Sequence, residues 1–428
     1  MAAKTYGGGS GPYDGTWSTA ANWTGDVKPL NTDTITLDVT RVANLTLDEA
    51  TALLGSLTQA ATYSGIFATG VFDVTAGDIT LSGGTVTTNS DWICSGNFDS
   101  LGCTITVDLL FTLTLSGAGK TCRTSTNLNF CPRNVTISGS YTTIGDFKIR
   151  VGGLVLPGSL AVDTGHTLEL GNGGNLALTG ILSGGGTLSV SGASAISNPS
   201  GTWSIANTWC KRKVFIGAGI FGGDFLFDCD QTSKTLTLGI NNGDVIVYTG
   251  NVTYFMDTGG IYTIDMDSKN PVITYQGNLI LTETSGTILW NYGSAITTFS
   301  GGNATLTTLG KNLGKVLIDC VGFTKQCADA FASTDLDVNA GTIQFLDNST
   351  TSGTVTADGT IILDPTKTHT WADVAGSGTI QTSTPGTIVY VNYTGQEAFT
   401  GTLDEVILVG PKHGRMLGTN SIMMGISL

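Results

Sequence analysis

Charge is the scarcest property of this chain. Only 12% of its 428 residues are Asp, Glu, Lys or Arg, about half the ~25% usual in soluble domains. Basic residues are the rarer sign, 19 against 33 acidic ones, for a formal charge of −14. A surface of that sign repels phosphate backbones, so nucleic acid is not expected as a partner. The one basic run, Lys211-Arg212-Lys213, reads as a solvated face. Glutamate is nearly missing and occurs only at 49, 169, 283, 397 and 405; the acidity is carried by Asp, which suits turns. No stretch approaches the ~18 apolar residues of a membrane span, which excludes insertion by helices. Coiled-coil heptads are lacking too. No apolar segment of signal-peptide type follows Met1-Ala-Ala-Lys, so synthesis in a cytoplasm is the expectation.

Glycine and short apolar pulses fill the space that charge leaves. The chain has 60 glycines, about twice the usual ~7%, yet 40% of its residues are hydrophobic. Such a fraction in regular alternation argues for order, not for a disordered low-charge tract. Residues 153–190 show the rule most cleanly. Leu154/Leu156, Leu160/Val162, Leu168/Leu170, Leu176/Leu178 and Leu188/Val190 are apolar–x–apolar pulses separated by Gly, Asn, Asp, Ser and Pro157. Each pulse is one inward face of a very short strand, because strand side chains alternate sides. Turn residues every eight or so positions bend the chain before a strand can lengthen. Later in the chain Gly-Thr-(Ile/Val/Leu) recurs at 286, 341, 353, 359, 378, 386 and 401, with Gly at a corner and Thr opening the next strand. The fold expected is all-β, a parallel β-helix or solenoid-like stack of short strands in two related halves. With a coil of roughly twenty residues the chain would wind about twenty times.

Residues 1–34 form an expected N-terminal arm and Trp-rich cap. Within them and at the strand that follows, Trp17, Ser18, Asn22, Trp23, Pro29, Asp33 and Ile35 resemble the opening of autotransporter-like β-solenoids and of β-solenoid structural proteins of tailed, marine-type phages. The motif returns as Gly201-Thr202-Trp203-Ser204-Ile205-Ala206-Asn207-Thr208-Trp209, which matches residues 15–23 at six of nine positions. A flap of two tryptophans covering a solenoid end or flank is the reading of both copies. The division that follows is 35–200 for the first half, 201–410 for the second, and 411–428 for an apolar tail. That tail holds Met416, Met423 and Met424 beside Ile422, Ile426 and Leu428, and reads either as a docking segment or as a plain cap. Residues 47–61 carry helix-forming Ala and Leu, but Gly55 interrupts them, which favours a loop and a strand. Segment 321–338 is the least β-like part and reads as an inserted loop.

Residues fit for chemistry are few. His166, His369 and His413 have no partners at metal-ligand spacing; His166 and His369 each precede a Thr and read as surface turn residues. No Gly-x-Ser-x-Gly elbow, phosphate-binding glycine loop or calcium nonapeptide occurs. Two alternating aspartate pairs, Asp228/Asp230 and Asp265/Asp267, would place carboxyls about 7 Å apart on one strand face, within the loose range for glycoside hydrolysis. The same pairs read equally well as solvated outward faces. The eight cysteines, at 94, 103, 122, 131, 210, 229, 320 and 327, lack any Cys-x-x-Cys pair. Cys103 to Cys122 and Cys210 to Cys229 are both one expected coil apart, so stacked core thiols are the first reading and disulfides the second. Seven Asn-x-Ser/Thr sequons read as turn-ending Asn before a strand-starting Thr.

No catalytic residue, cofactor or metal is therefore assigned. The resemblance implies a non-enzymatic structural protein of a virion surface, a head or tail fibre or a decoration protein. Its implied partners are copies of itself, with a trimer the guess, other capsid or tail proteins, and host-surface polysaccharide. The rival readings are a bacterial surface adhesin and a tailspike-type polysaccharide hydrolase or lyase.

Overall fold

The computed structural model describes residues 2–417 apart from 8, 11–13, 39–43, 52, 108–111, 125–130, 151, 193, 212–213, 230–233 and 411–415. The protein is 59% strand, wound as a parallel β-solenoid of about 17 turns. Helical structure among the described residues is limited to one 3-10 turn, Ala20–Asn22. The chain forms two compact units, Met1–Val214 and Phe215–Leu428. The second Gly-Thr-Trp-Ser segment therefore lies inside the first unit.

In the first unit one coil consists of three short strands. Asn134–Ile137, Ser140–Thr143 and Phe147–Ile149 make one. Leu154–Leu156, Ser159–Ala161 and Thr167–Leu170 make the next. Register follows the pulses: Val135 lies opposite Leu154, Ser140 opposite Ser159 and Phe147 opposite Leu168. One coil further on, Leu154, Leu160 and Leu168 meet Leu176, Leu182 and Leu188. All of these leucines are buried, each stabilising the stack by about 1.5–3 kcal/mol. The alternate residues face outward, which is why polar and apolar positions alternate although the sheet is parallel.

The exposed edge of the first coil is covered by Ala3–Tyr6, which pairs in parallel with Thr34–Leu37, as an unpaired edge requires. Trp17 and Trp23 pack edge to face at 4.8 Å. The Trp23 indole donates to the Trp17 carbonyl at 2.8 Å, and Tyr6 stands against Trp23 at 5.6 Å. The first tryptophan pair is thus a compact plug. The second copy of the motif takes a different form. It is a plain strand, Thr202–Lys211, with Trp203 opposite Leu182 and Trp209 opposite Ser189. The expected flap is absent there because a preceding coil offers a ladder to pair with, so the segment extends. Residues 47–61 contribute the strand Leu54–Gln59.

The second unit opens with larger coils. Asn251 donates its backbone N–H to Asp224, and Asn278 to Asn251, each 27 residues back. A longer perimeter encloses more interior, and aromatics fill it. Tyr248 stacks on Tyr275 at 5.5 Å and Tyr275 on Phe299 at 5.7 Å, each partner being the register neighbour in the next coil. Later coils shrink and return to aliphatic columns such as Ile343, Ile361 and Ile380. Because coils in both units often exceed twenty residues, about 17 turns form where about twenty were expected.

Segment 321–338 is strand, not an inserted loop. Lys315–Cys327, Phe331–Ser333 and Asp335–Phe345 run through it. The alternation was masked because one inward position holds a lysine. Lys325 is fully buried, and its ammonium donates to the carbonyls of Ser300, Gly302 and Gln276 at 2.6, 2.7 and 3.2 Å. At the far end, Val406–Val409 pairs in parallel with Val389–Tyr393 and antiparallel with Met416–Leu417. The rest of the expected tail, 411–415 and 418–428, lies outside the described residues.

Candidate functional site

Most polar side chains near the corners are committed to holding coils together. The Oδ1 of Asn44 accepts the backbone N–H of Ile66. Asn134, Asn251, Asn303 and Asn348 do the same for Gly153, Asn278, Thr324 and Thr368. These five asparagines all head Asn-x-Ser/Thr sequons. Aspartates serve alike: Asp73 accepts from Asp91, Asp91 from Thr112, and Asp78 from Asn97. The side chain must span the ~4.8 Å between stacked strands, a reach that suits Asp and Asn. Glu405 makes the same kind of contact to the Gly386 N–H at 2.7 Å.

Glycine has an equally mechanical role. Gly117, Gly139, Gly158, Gly180 and Gly201 form a column, one per coil, in which a Cβ on each of the last four would collide with the carbonyl of the glycine before it. Gly341, Gly359, Gly378 and Gly401 repeat this in the second unit, where they are the glycines of the Gly-Thr-(Ile/Leu) motif.

Among the described residues singled out for chemistry, each has its own local setting. Asp265 ends the strand Ile261–Asp265 and accepts from the Asn291 amide at 3.0 Å. Asp267 is exposed in the following turn, while Ile264 and Met266 point into the core. Asp228 is half-buried between the inward Phe227 and Cys229, and Asp230 lies outside the described residues. No three His, Cys, Asp or Glu side chains cluster as a metal site among the described residues.

His166 sits half-exposed in the turn, its N–H donating to the Asp163 carbonyl at 3.1 Å. His413 lies outside the described residues. His369 is not a surface turn residue: it is fully buried at the start of the strand His369–Gly376. Its Nε2 donates to the Asp364 carbonyl at 3.1 Å, and its Nδ1 accepts from Ser349 at 2.9 Å. The Ser349 oxygen in turn accepts from the Trp371 indole at 3.2 Å. Burial lowers the His369 pKa, so the ring stays neutral. A serine beside a histidine is the arrangement of an activated nucleophile, but both are sealed in the core and work as a polar joint. Sequence reading missed this because the first residue of a strand can face either way.

All eight cysteines are buried and none is in a disulfide. Desolvation pushes Cys94 and Cys103 up to about 12 and Cys131 up to about 11. The expected stacking of Cys103 on Cys122 does not occur, since Cys122 lies opposite Phe98. The coil there has 24 residues, as the Arg123–Asp99 contact shows, so a nineteen-residue spacing misses register.

A surface groove of about 410 Å³ in the second unit is lined by Asn278, Asn303, Ala304, Thr305, Thr324, Gln326 and Gln344. It forms where the coil contracts. Side-chain contacts span 27 residues at Asn278–Thr305, 21 at Asn303–Thr324 and 18 at Gln326–Gln344. Apart from Ala304 the lining is amide and hydroxyl, and it carries no ionisable group. Such a set can exchange hydrogen bonds with a ligand and holds neither the acid nor the base that glycosidic cleavage uses. No family model, curated protein or solved structure matches the chain.

Proposed function

We propose that this chain is a non-enzymatic structural protein of a tailed-phage virion surface, a head or tail fibre or a decoration protein. The observation that carries the reading is the self-supporting coil stack. Corner Asp and Asn side chains and close-packed glycines are engaged in coil-to-coil contacts, and no three His, Cys, Asp or Glu side chains cluster as a metal site among the described residues. A β-solenoid is compatible with a structural or adhesin-like role; residues 15–35 resemble phage and autotransporter-like openings alike, and the low charge and the apolar sequence of 411–428 are the grounds for preferring the virion. Copies of the chain would assemble, with a trimer as the expected state, and dock on capsid or tail proteins through residues 411–428. The protein would be made in the host cytoplasm and end on the particle.

Electron microscopy of parent particles labelled with antibody against the chain tests this directly. Labelled fibres or surface projections support it; label confined to cell envelopes favours the adhesin. New reducing ends from capsule or cell-wall glycans, lost in Asp228→Asn or Asp265→Asn, would instead establish a hydrolase. Deletion of 415–428 should prevent assembly while the β circular-dichroism signal remains; assembly of the shortened chain would refute the docking role.

A further inference from the structure

The groove at the contracting coils has the chemistry of a saccharide site, and its register gives that site a direction. Leu279 lies opposite Leu306, which puts Asn278 beside Thr305; Thr305 lies opposite Gln326, and Gln326 opposite Gln344. One polar side chain per coil thus forms a column over four successive coils, about 14 Å long at ~4.8 Å per strand. Asn303 and Thr324 stand beside it as a second, shorter column. Asn278 and Asn303 commit their Oδ1 atoms to the backbone N–H groups of Thr305 and Thr324 at 2.7 and 2.9 Å. The Nδ2 donors of both remain for a ligand. Gln326 donates to the Oε1 of Gln344 at 3.2 Å, which leaves the Gln326 oxygen as an acceptor and the Gln344 amino group as a donor. Side-chain amides offer donor and acceptor together, the complement of vicinal hydroxyls.

Two further features narrow the ligand. Phe323, next in sequence to the lining Thr324, is 46% exposed, and Val321 is 76% exposed. Large apolar side chains held in water within three residues of the lining Thr324 fit a ligand with both hydroxyl edges and C–H faces, against which an aromatic ring packs. Charge is excluded from the lining: Lys325, between Thr324 and Gln326, turns its ammonium inward to three carbonyls. With a net charge of −14 on the chain, an anionic polymer would be repelled.

We infer that the column Asn278–Thr305–Gln326–Gln344, flanked by Phe323, binds a neutral oligosaccharide laid along the solenoid axis. This rests on the surface-protein reading and supplies it with a receptor class.

The test is saturation-transfer NMR on the full-length protein. One panel holds neutral oligosaccharides (malto-, cello- and N-acetylglucosamine oligomers, dextran fragments), and the other anionic ones (hyaluronan and polygalacturonate fragments). Signals are expected from a member of the neutral panel and not from the anionic one. Gln326→Leu/Gln344→Leu should weaken binding about tenfold by removing neutral hydrogen bonds. Phe323→Ala, at an exposed position, should weaken it roughly three- to tenfold. Circular dichroism of both variants should match the parent. Silence across the neutral panel, preference for the anionic one, or binding untouched by both variants overturns the inference while leaving the scaffold reading intact. Binding followed by new reducing ends would sustain the site and overturn the non-enzymatic reading.

Discussion

Replacing Lys325 by Met separates what a buried charge contributes from what its aliphatic stem contributes. The stem fills an inward position and is retained in Met. The ammonium is lost, and with it the donors to Ser300, Gly302 and Gln276 at 2.6, 2.7 and 3.2 Å. A buried carbonyl left without a donor costs about 1–3 kcal/mol. Three of them exceed the several kcal/mol recovered by no longer desolvating an ammonium only modestly, so a net loss of about 3 kcal/mol is expected. In a unit of this size that lowers the melting midpoint by about 6–12 °C. Burial also lowers the Lys325 pKa from its ordinary 10.5. Between the lowered value and 10.5 the unfolded chain binds more protons than the folded one, so stability rises with pH across that window. The advantage of wild type over Lys325→Met should therefore widen in alkali. Thermal melts at neutral and alkaline pH, with hydrogen exchange read on peptides covering 296–327, measure both effects. Equal melts and equal protection in the two proteins would refute the assignment of Lys325 as an anchor, and a gap that narrows in alkali would refute the direction of its pKa.

Gly158→Ala places a Cβ against the Gly139 carbonyl inside the glycine column and should destabilise the first unit by about 2–4 kcal/mol, read as a lower denaturation midpoint; an unchanged midpoint would show the coils can spread at no cost. Asn175 accepts the Ala195 N–H at 3.0 Å from an exposed position, so Asn175→Ala should cost about 1 kcal/mol. Asn175→Asp should be near neutral, while Asn175→Gln should fail to restore the bond, being too long for the coil spacing. Eight thiols should titrate with a disulfide reagent in denaturant without reductant and almost none in the native protein near pH 8, because burial raises Cys94 and Cys103 to about 12; rapid native labelling would contradict the packing. Asp14 is held well below the usual carboxylate range by the Thr16 hydroxyl, the Asn22 amide and Thr19. Its support of the Trp plug is complete above the unfolded value of about 4 and fades as pH falls through the folded one, so an acid-induced change in Trp fluorescence should vanish in Asp14→Asn.

Strand positions were the most legible feature, because period-two alternation needs only local information. The leucines of 154–190 fall inward as the pattern requires, as do Tyr248, Tyr254, Tyr262, Tyr275, Trp290 and Phe299, while Phe255 and Tyr292 stay half-buried. Legibility failed where an inward position carried a polar residue. Lys325 and His369 are buried because neighbouring coils supply carbonyls and hydroxyls that no local window reveals. It failed also where one motif met two surroundings. Gly-Thr-Trp-Ser opens a plug at Trp17 and an ordinary strand at Trp203, the difference being a preceding coil to pair with. The groove was invisible in the sequence, since Asn278, Thr305, Gln326 and Gln344 are spaced 27, 21 and 18 apart and share no motif.

The sequence by itself determined that this protein is a stack of short parallel strands with Gly, Asp and Asn at its corners. Those features arise from φ freedom, side-chain alternation and turn chemistry, all of which act over a few residues. Only the tertiary structure decided how many residues each coil takes, and so which side chains become vertical neighbours. Register depends on the whole loop between two strands, where one extra corner residue moves every contact in the next coil. That is why the thiol spacing misled, why corner asparagines meet backbone N–H groups, and why the step from 27 to 18 residues opens a polar groove at Asn278–Gln344.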